Sequence, residues 1–122
     1  MSAKRSYRVP GKPVENKTPA ERMLSSVPRE KAFNFYNGVG KPAGKHAASL
    51  QEFSQRLLEV DPSSVVFHLE RDDFQKWLRQ TIGDKELAST LSGFKGQGLS
   101  PEELRQKVQS EVKARFEGLS KR

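Results

Sequence analysis

The chain of 122 residues contains no cysteine and only two histidines. Disulfides, thiolate zinc sites and cysteine nucleophiles are therefore excluded, and any zinc or di-iron site would have to consist mainly of carboxylates. No apolar stretch approaches the roughly 18 residues that a membrane span requires, and the basic N-terminus lacks the apolar region of a secretory signal. These absences predict a cytoplasmic protein that does not contact membranes and holds no metal or other cofactor.

Acidic residues are scarce in the first part of the chain, and the net charge of +7 arises there. Residues 1–48 contain ten Lys and Arg against three acidic residues, whereas residues 49–122 contain twelve of each. Charge that is concentrated in one segment indicates a polyanionic partner more strongly than the same charge spread evenly. We therefore predict that the N-terminal part binds nucleic acid, with RNA favoured over DNA.

Two segments with different composition divide the chain. Residues 1–28 are predicted to form a basic, proline-containing tail that is largely extended or disordered, because sparse apolar residues cannot offset the entropy of ordering. Residues 29–122 are predicted to form a helical domain. Within the tail, Thr18-Pro-Ala-Glu21 matches a capping box with proline at the first helical position, which predicts a short helix over residues 19–26.

Basic side chains in the first half of the chain are the candidate binding residues. Lys4-Arg-Ser-Tyr-Arg8 places an aromatic ring among cations, which suits phosphate neutralisation together with stacking on an unpaired base. A solvated terminus without a partner is the alternative interpretation. The predicted nucleic-acid-binding residues are Lys4, Arg5, Tyr7, Arg8, Lys12, Lys17, Arg22, Lys41 and Lys45.

The next stretch contains an aromatic segment followed by a glycine-rich one. Ala32-Phe-Asn-Phe-Tyr36 alternates apolar and polar positions, which predicts a short strand or an extended docked segment. Asn37 to His46 contains three glycines and predicts a turn-rich connection. The spacing of its glycine and lysine residues does not match a phosphate-binding loop, and no apolar strand of a parallel sheet precedes it.

From residue 49 onward the pattern is helical. Ser49-Leu-Gln-Glu52 and Ser100-Pro-Glu-Glu103 are capping boxes followed by apolar residues at helical spacing. Asp61-Pro62 and Asp84 predict further helix starts, and Gly83 predicts a helix end. The predicted fold class is all-α, a compact bundle of four to five short helices with an extended basic N-terminal tail.

Residues 67–84 combine the only Trp, one His and an adjacent pair of Asp residues. We interpret Asp72 and Asp73 as helix caps, because adjacent side chains on a helix point about 100° apart and do not share one catalytic site. His68 is interpreted as a structural residue paired with Asp72, and Trp77 as a core residue. No arrangement indicates a reaction, and we predict that the protein is not an enzyme.

Four motifs carry a resemblance to a known family: Phe33-Asn-Phe35, Ser49-Leu-Gln-Glu-Phe53, Phe67 to Trp77, and Gly83-Asp-Lys-Glu-Leu-Ala88. Over residues 28–119 the chain resembles an uncharacterised family of small archaeal and bacterial helical domains with the pattern Phe-His-x-x-Arg-Gly-Asp-Phe-x-x-Trp. Asp72 stands where that pattern has glycine, which predicts a helix that continues more easily through this position. The resemblance implies a compact helical domain, an archaeal source and no established activity.

The leading prediction is a non-enzymatic module that binds structured or ribosome-associated RNA through its basic arm. The alternative is a protein–protein adaptor that uses the aromatic 33–36 segment or the helical face near Trp77. A DNA-binding helix-turn-helix over residues 72–82 and 84–93 is less favoured, because its second helix offers few base-reading side chains and contains two acids. An enzyme that uses His68 and Asp72 is also less favoured.

Overall fold

The computed structural model describes residues 18–121 of the chain. These residues form six α-helices and one antiparallel hairpin. A 3₁₀ turn (Arg29–Lys31) precedes the hairpin, and a π-helical turn (Leu78–Ile82) continues the fourth helix. In chain order the elements are α1 (Pro19–Leu24), β1 (Phe33–Gly38), β2 (Lys41–Ala47), α2 (Leu50–Leu57), α3 (Pro62–Glu70), α4 (Asp73–Trp77), α5 (Lys85–Ser92) and α6 (Pro101–Ser120).

The hairpin makes the fold α+β, so the predicted all-α class is wrong. The alternating residues 33–36 do form a strand, whereas residues 41–46, predicted as a turn-rich connection, form most of β2. Gly40 turns the chain with a φ of 70°, and Gly44 has a φ of 77° in an irregular stretch of β2. The glycines are therefore used to turn and bend a hairpin, since glycine adopts positive φ at little cost.

Aromatic rings from the hairpin and the helices form the centre of the core. The ring of Phe33 on β1 lies 5.0–5.9 Å, between centroids, from the rings of Phe35, Phe53, Phe74 and Trp77. Aromatic contacts at such distances stabilise a core by about 0.5–1.5 kcal/mol per pair beyond the burial of their area. Trp77 is 8% exposed, as predicted for a core residue, and its Nε1 donates a hydrogen bond to the Lys31 carbonyl at 2.9 Å.

The predicted helix starts are confirmed by their capping hydrogen bonds. Thr18 and Ser100 each form a reciprocal capping box, and the side chains of Ser49, Asp61 and Asp84 accept from backbone N–H groups of the helices that they precede. Each cap satisfies an N–H group that has no partner within its helix. Capping residues alone therefore located most of the helices.

The short helix α1 packs on the rest of the structure. Met23 and Leu24 are half-buried against the core, and the Val27 N–H donates to the Ala48 carbonyl at 2.7 Å. The helix predicted over residues 19–26 is therefore present. It ends at Leu24, two residues earlier than predicted, and it packs against the core. Apolar burial rather than intrinsic propensity holds so short a helix.

Asp72 separates α3 from α4. It has a φ of 65° and a ψ of 22°, and among the described residues it is the one non-glycine with positive φ. Its side chain makes no capping hydrogen bond, and its Oδ1 instead accepts from Lys95 Nζ at 3.0 Å. The predicted continuation of the helix through Asp72 is therefore wrong, as is its interpretation as a side-chain cap. The left-handed residue changes the direction of the chain and brings α4 back toward β1.

The left-handed conformation predicts how substitutions at Asp72 affect stability. Asp72→Ala should lower the free energy of unfolding by about 1 kcal/mol, because alanine keeps a Cβ on a left-handed backbone and loses the contact with Lys95 Nζ. Asp72→Gly should be close to neutral, because relief of that strain is offset by greater entropy of the unfolded chain. Urea unfolding checks both variants, and an Asp72→Ala protein as stable as Asp72→Gly would contradict the assignment.

A buried ion pair joins α6 to the start of α5. Asp84 is fully buried, and its two oxygens accept from Arg115 Nε at 2.8 Å and Nη2 at 3.1 Å. The same carboxylate caps α5 by accepting from the Leu87 N–H at 3.0 Å. The hydrogen bond to Asp84 raises the pKa of Arg115 against the opposing effect of burial. Asp84 thus depends on a side chain that is 31 residues away in the sequence.

Arg115→Met should destabilise the protein, because it leaves the Asp84 charge buried without its cationic partner. Removal of one partner from a fully buried pair costs about 3–5 kcal/mol, and since Arg115 is partly exposed we expect about 2 kcal/mol. Lys113→Met on the exposed side of α6 is the matched control and should change the free energy of urea unfolding by less than about 0.5 kcal/mol. Equal effects of the two substitutions would contradict this role of Arg115.

Candidate functional site

The described structure contains three of the nine predicted nucleic-acid-binding residues. Arg22 is exposed on α1, Lys41 is exposed at the start of β2, and Lys45 is half-buried in β2 with its Nζ 3.4 Å from Glu59 Oε1. Lys41 and Lys45 thus share the hairpin, whereas Arg22 belongs to another element. The remaining six lie outside the described residues: Lys4, Arg5, Tyr7, Arg8, Lys12 and Lys17.

A groove lies between the hairpin and the segment that contains α3 and the start of α4. Its volume is about 360 Å³, which falls within the roughly 300–1,000 Å³ typical of ligand sites. We call it the hairpin groove. Its apolar and glycine positions are Phe33, Tyr36, Gly38, Val39, Gly40 and Phe67, and its polar positions are Asn34, His68, Arg71, Asp73 and Lys76.

His68 connects the two sides of the groove. The Tyr36 N–H donates to His68 Nε2 at 2.8 Å, and His68 Nδ1 lies 2.8 Å from Asp73 Oδ2. Because a backbone N–H can only donate, Nε2 must accept, and the proton of the neutral ring lies on Nδ1 and is donated to Asp73. We predicted Asp72 as the partner of His68, and this prediction is wrong. The left-handed backbone at Asp72 directs the next residue, Asp73, toward the histidine.

Burial disfavours the charged form of the imidazole. His68 is 3% exposed, and this burial lowers its pKa, although the hydrogen bond to Asp73 opposes the change. Both ring nitrogens are already hydrogen-bonded within the protein. His68 therefore positions the strand and has no nitrogen available as a general base or a metal ligand.

Tyr36 is held by α3 through both of its backbone polar atoms. In addition to the N–H bond to His68, its carbonyl accepts from Ser64 Oγ at 2.6 Å. The side chain remains 37% exposed and lines the groove. The exposure of Tyr36 follows from the alternation along the strand. Phe33 and Phe35 are buried, and Tyr36 lies on the opposite face.

The carboxylate in the groove is hydrogen-bonded by His68, and its charge is offset by Arg71. Asp73 Oδ2 accepts from His68 Nδ1 and also from Arg71 Nε at 3.1 Å. The Arg71 guanidinium in turn lies 4.8 Å above the ring centroid of Phe67, a cation–π contact. Arg71 and Phe67 are four residues apart, the spacing that brings side chains together along a helix.

Lysine side chains give the mouth of the groove a positive charge. Lys76 is exposed and makes no ion pair within residues 18–121. Lys41 extends across the hairpin, with its Cδ 3.6 Å from the position that a Cβ on Gly38 would occupy. The sequence interpretation named Lys41 as a binding residue, but it did not single out Arg71 or Lys76, which tertiary packing places beside the hairpin.

The described part of the chain contains no group of three or more His, Asp or Glu side chains arranged to hold a metal ion. Within residues 18–121 no helix is both long and apolar enough to cross a lipid bilayer. The structure therefore defines a small α+β domain with an aromatic groove and a basic mouth.

The family assignment agrees with this small domain. A family of unknown function, DUF5752, matches residues 12–113. Because the match covers most of the chain, the protein belongs to this family, and the resemblance to an uncharacterised domain family is confirmed. Comparison with curated proteins and with solved structures found no match.

The lowered pKa of His68 predicts a pH dependence of stability. In the unfolded chain the histidine binds a proton near pH 6.5, whereas in the folded protein it does so only at lower pH. The contribution of His68 to the free energy of unfolding is therefore fully present above pH 6.5 and is lost as the pH falls below that value. His68→Gln should reduce this dependence, because glutamine does not titrate. Urea unfolding from about pH 7.5 to about pH 5 measures the effect.

His46→Gln is the matched control for this experiment, because it removes the other imidazole and leaves His68 in place. It should keep the pH dependence of the wild-type protein. If His68→Gln and the wild type lose stability in parallel as the pH is lowered, the assigned role of His68 is refuted.

Proposed function

We propose that the protein is a non-enzymatic, cytoplasmic module that binds RNA, with structured or ribosome-associated RNA as its target. The observation that carries this proposal is the uneven distribution of charge. Residues 1–17 contain five Lys or Arg and one acid, whereas residues 18–121 contain sixteen and fourteen. A concentrated positive charge attracts the phosphate backbone and releases its counterions.

The folded domain adds cations close to aromatic side chains. Lys41 and Lys76 are exposed near the hairpin groove, where Tyr36 and Phe67 provide rings. Cations combined with accessible aromatic rings suit a strand whose bases are unpaired. This combination favours RNA loops and single strands over a regular duplex.

The second helix of the alternative DNA-binding arrangement offers little to a major groove. Leu87, Ala88 and Leu91 of α5 are buried, and Asp84 at its start is paired with Arg115. Lys85 is the single basic residue of α5, and Glu86 is exposed next to it. A recognition helix with so few donors and an exposed acid is poorly suited to DNA.

Neutralisation of the arm should weaken RNA binding. Replacing Lys4, Arg5, Arg8 and Lys12 by Gln in the full-length protein removes four charges, and if each contacts a phosphate, the log–log dependence of affinity on salt should become shallower by about 3 on single-stranded RNA. Titration of a labelled RNA at several salt concentrations measures this slope.

The matched control removes four charges elsewhere, by replacing the exposed Lys85, Lys107, Lys113 and Lys121 of α5 and the α6 region with Gln. Its net charge equals that of the arm variant, but its salt slope should stay near the wild-type value. Equal loss of affinity in the two variants would show that RNA binding depends only on the net charge of the protein. That result would contradict a specific role for the arm.

A protein–protein adaptor is the second candidate, favoured by apolar exposure at the hairpin. Val39 at its tip is 79% exposed and Tyr36 is 37% exposed. Phe35 is 1% exposed and unsuitable as a contact residue, so Val39→Asp is the informative substitution. A partner captured in the presence of nuclease and lost with Val39→Asp would support the adaptor.

A further inference from the structure

We propose that the hairpin groove binds one unpaired nucleobase of an RNA strand, stacked on Tyr36, with the adjoining phosphate held by Arg71 and Lys76. This inference rests on the proposed RNA binding and specifies where the folded domain contributes to it. It assigns a function to a groove that lies outside the basic N-terminal arm.

Tyr36 is a preorganised stacking surface. Its N–H and carbonyl are fixed to α3 at 2.8 Å and 2.6 Å, by His68 and Ser64 respectively. The ring is exposed although its backbone is anchored, so little conformational entropy is lost when a base stacks on it. Stacking of one base on an aromatic side chain strengthens binding by about ten- to hundredfold.

The charges along the groove complement a phosphate. Asp73 is the carboxylate among the described groove residues, and it already accepts from His68 and Arg71. Arg71 uses Nε for this contact, which leaves its terminal nitrogens without a hydrogen bond in the described chain. Together with the ammonium group of Lys76, they offer several donors to a phosphate oxygen.

Asn34 supplies a polar group for the edge of the base. Its Oδ1 accepts from Arg29 Nη1 at 3.3 Å, which orients the amide and leaves the Nδ2 hydrogens as donors. An amide donor beside an aromatic ring pairs with a base carbonyl or ring nitrogen. Asn34 also lies on the same face of β1 as Tyr36, since two residues separate successive side chains on one face.

The size of the groove favours a single unpaired base. A volume of about 360 Å³ admits one base with its sugar, whereas bases in a duplex are stacked within the helix and unavailable for such a site. Gly38 and Gly40 place no side chain on the hairpin side of the groove. The space beside Gly40 is open, since a Cβ there would meet nothing within 4 Å.

The test compares two fluorescent single-stranded oligoribonucleotides of equal length, one with all its bases and one with abasic sites. For the full-length protein, Tyr36→Leu should weaken binding of the complete oligonucleotide about tenfold and leave the abasic one unchanged. Tyr36→Phe should restore the affinity, since the ring is retained. Lys76→Gln should weaken binding of both oligonucleotides, with Lys113→Gln as its unaffected control.

The outcomes separate this inference from the proposed function. Unchanged affinity of Tyr36→Leu for the complete oligonucleotide, with loss of binding in the arm variant, would overturn the groove site and keep RNA binding. Absence of binding by the wild-type protein would overturn both. Unchanged RNA affinity of Tyr36→Leu together with loss of a nuclease-resistant protein partner would assign the groove to a protein and overturn the inference.

Discussion

The hydrogen bond from the Tyr36 N–H to His68 Nε2 joins the hairpin to the helices, and the groove depends on it. It requires a neutral histidine whose remaining proton is donated to Asp73, so one strand, one helix and the following turn are connected through a single ring. The histidine is buried among Phe33, Phe74 and their neighbours. Loss of this bond would leave the Tyr36 N–H and His68 Nε2 without a partner, and the bond from Ser64 Oγ to the Tyr36 carbonyl would be the remaining hydrogen bond from α3 to Tyr36.

The same connection determines the electrostatics of the groove. Asp73 would oppose an anionic ligand if its charge were free, but it is shared between His68 and Arg71. Because the charge of Arg71 offsets that of Asp73, the ammonium group of Lys76 gives the groove residues a net positive charge. A residue that acts in folding thus also sets the charge of the groove, and the groove and the first 17 residues both carry net positive charge.

Local patterns predicted much of the fold and little of the site. Capping residues such as Ser49 and Ser100 identified helix starts because their interactions lie within four residues of each other in the sequence. The glycines of residues 37–46 predicted a loop, but Gly40 and Gly44 instead turn and bend a hairpin. Whether such a segment forms a strand depends on its packing against the rest of the protein, which the local sequence does not show. The family pattern has glycine at position 72, which indicates a left-handed backbone, but Asp72 was interpreted as favouring a continuous helix, and so the histidine was paired with the wrong carboxylate.

Local sequence patterns are sufficient for most of the helix starts, the aromatic strand, the family and the concentration of charge in the first residues, because each is a local or compositional property. That Tyr36, Phe67, Arg71 and Lys76 border one groove follows from tertiary packing alone. Tyr36 and His68 are 32 residues apart, and such contacts arise from the packing of the whole core. Their meeting depends on the left-handed backbone of Asp72 and on the buried hydrogen bond between Tyr36 and His68.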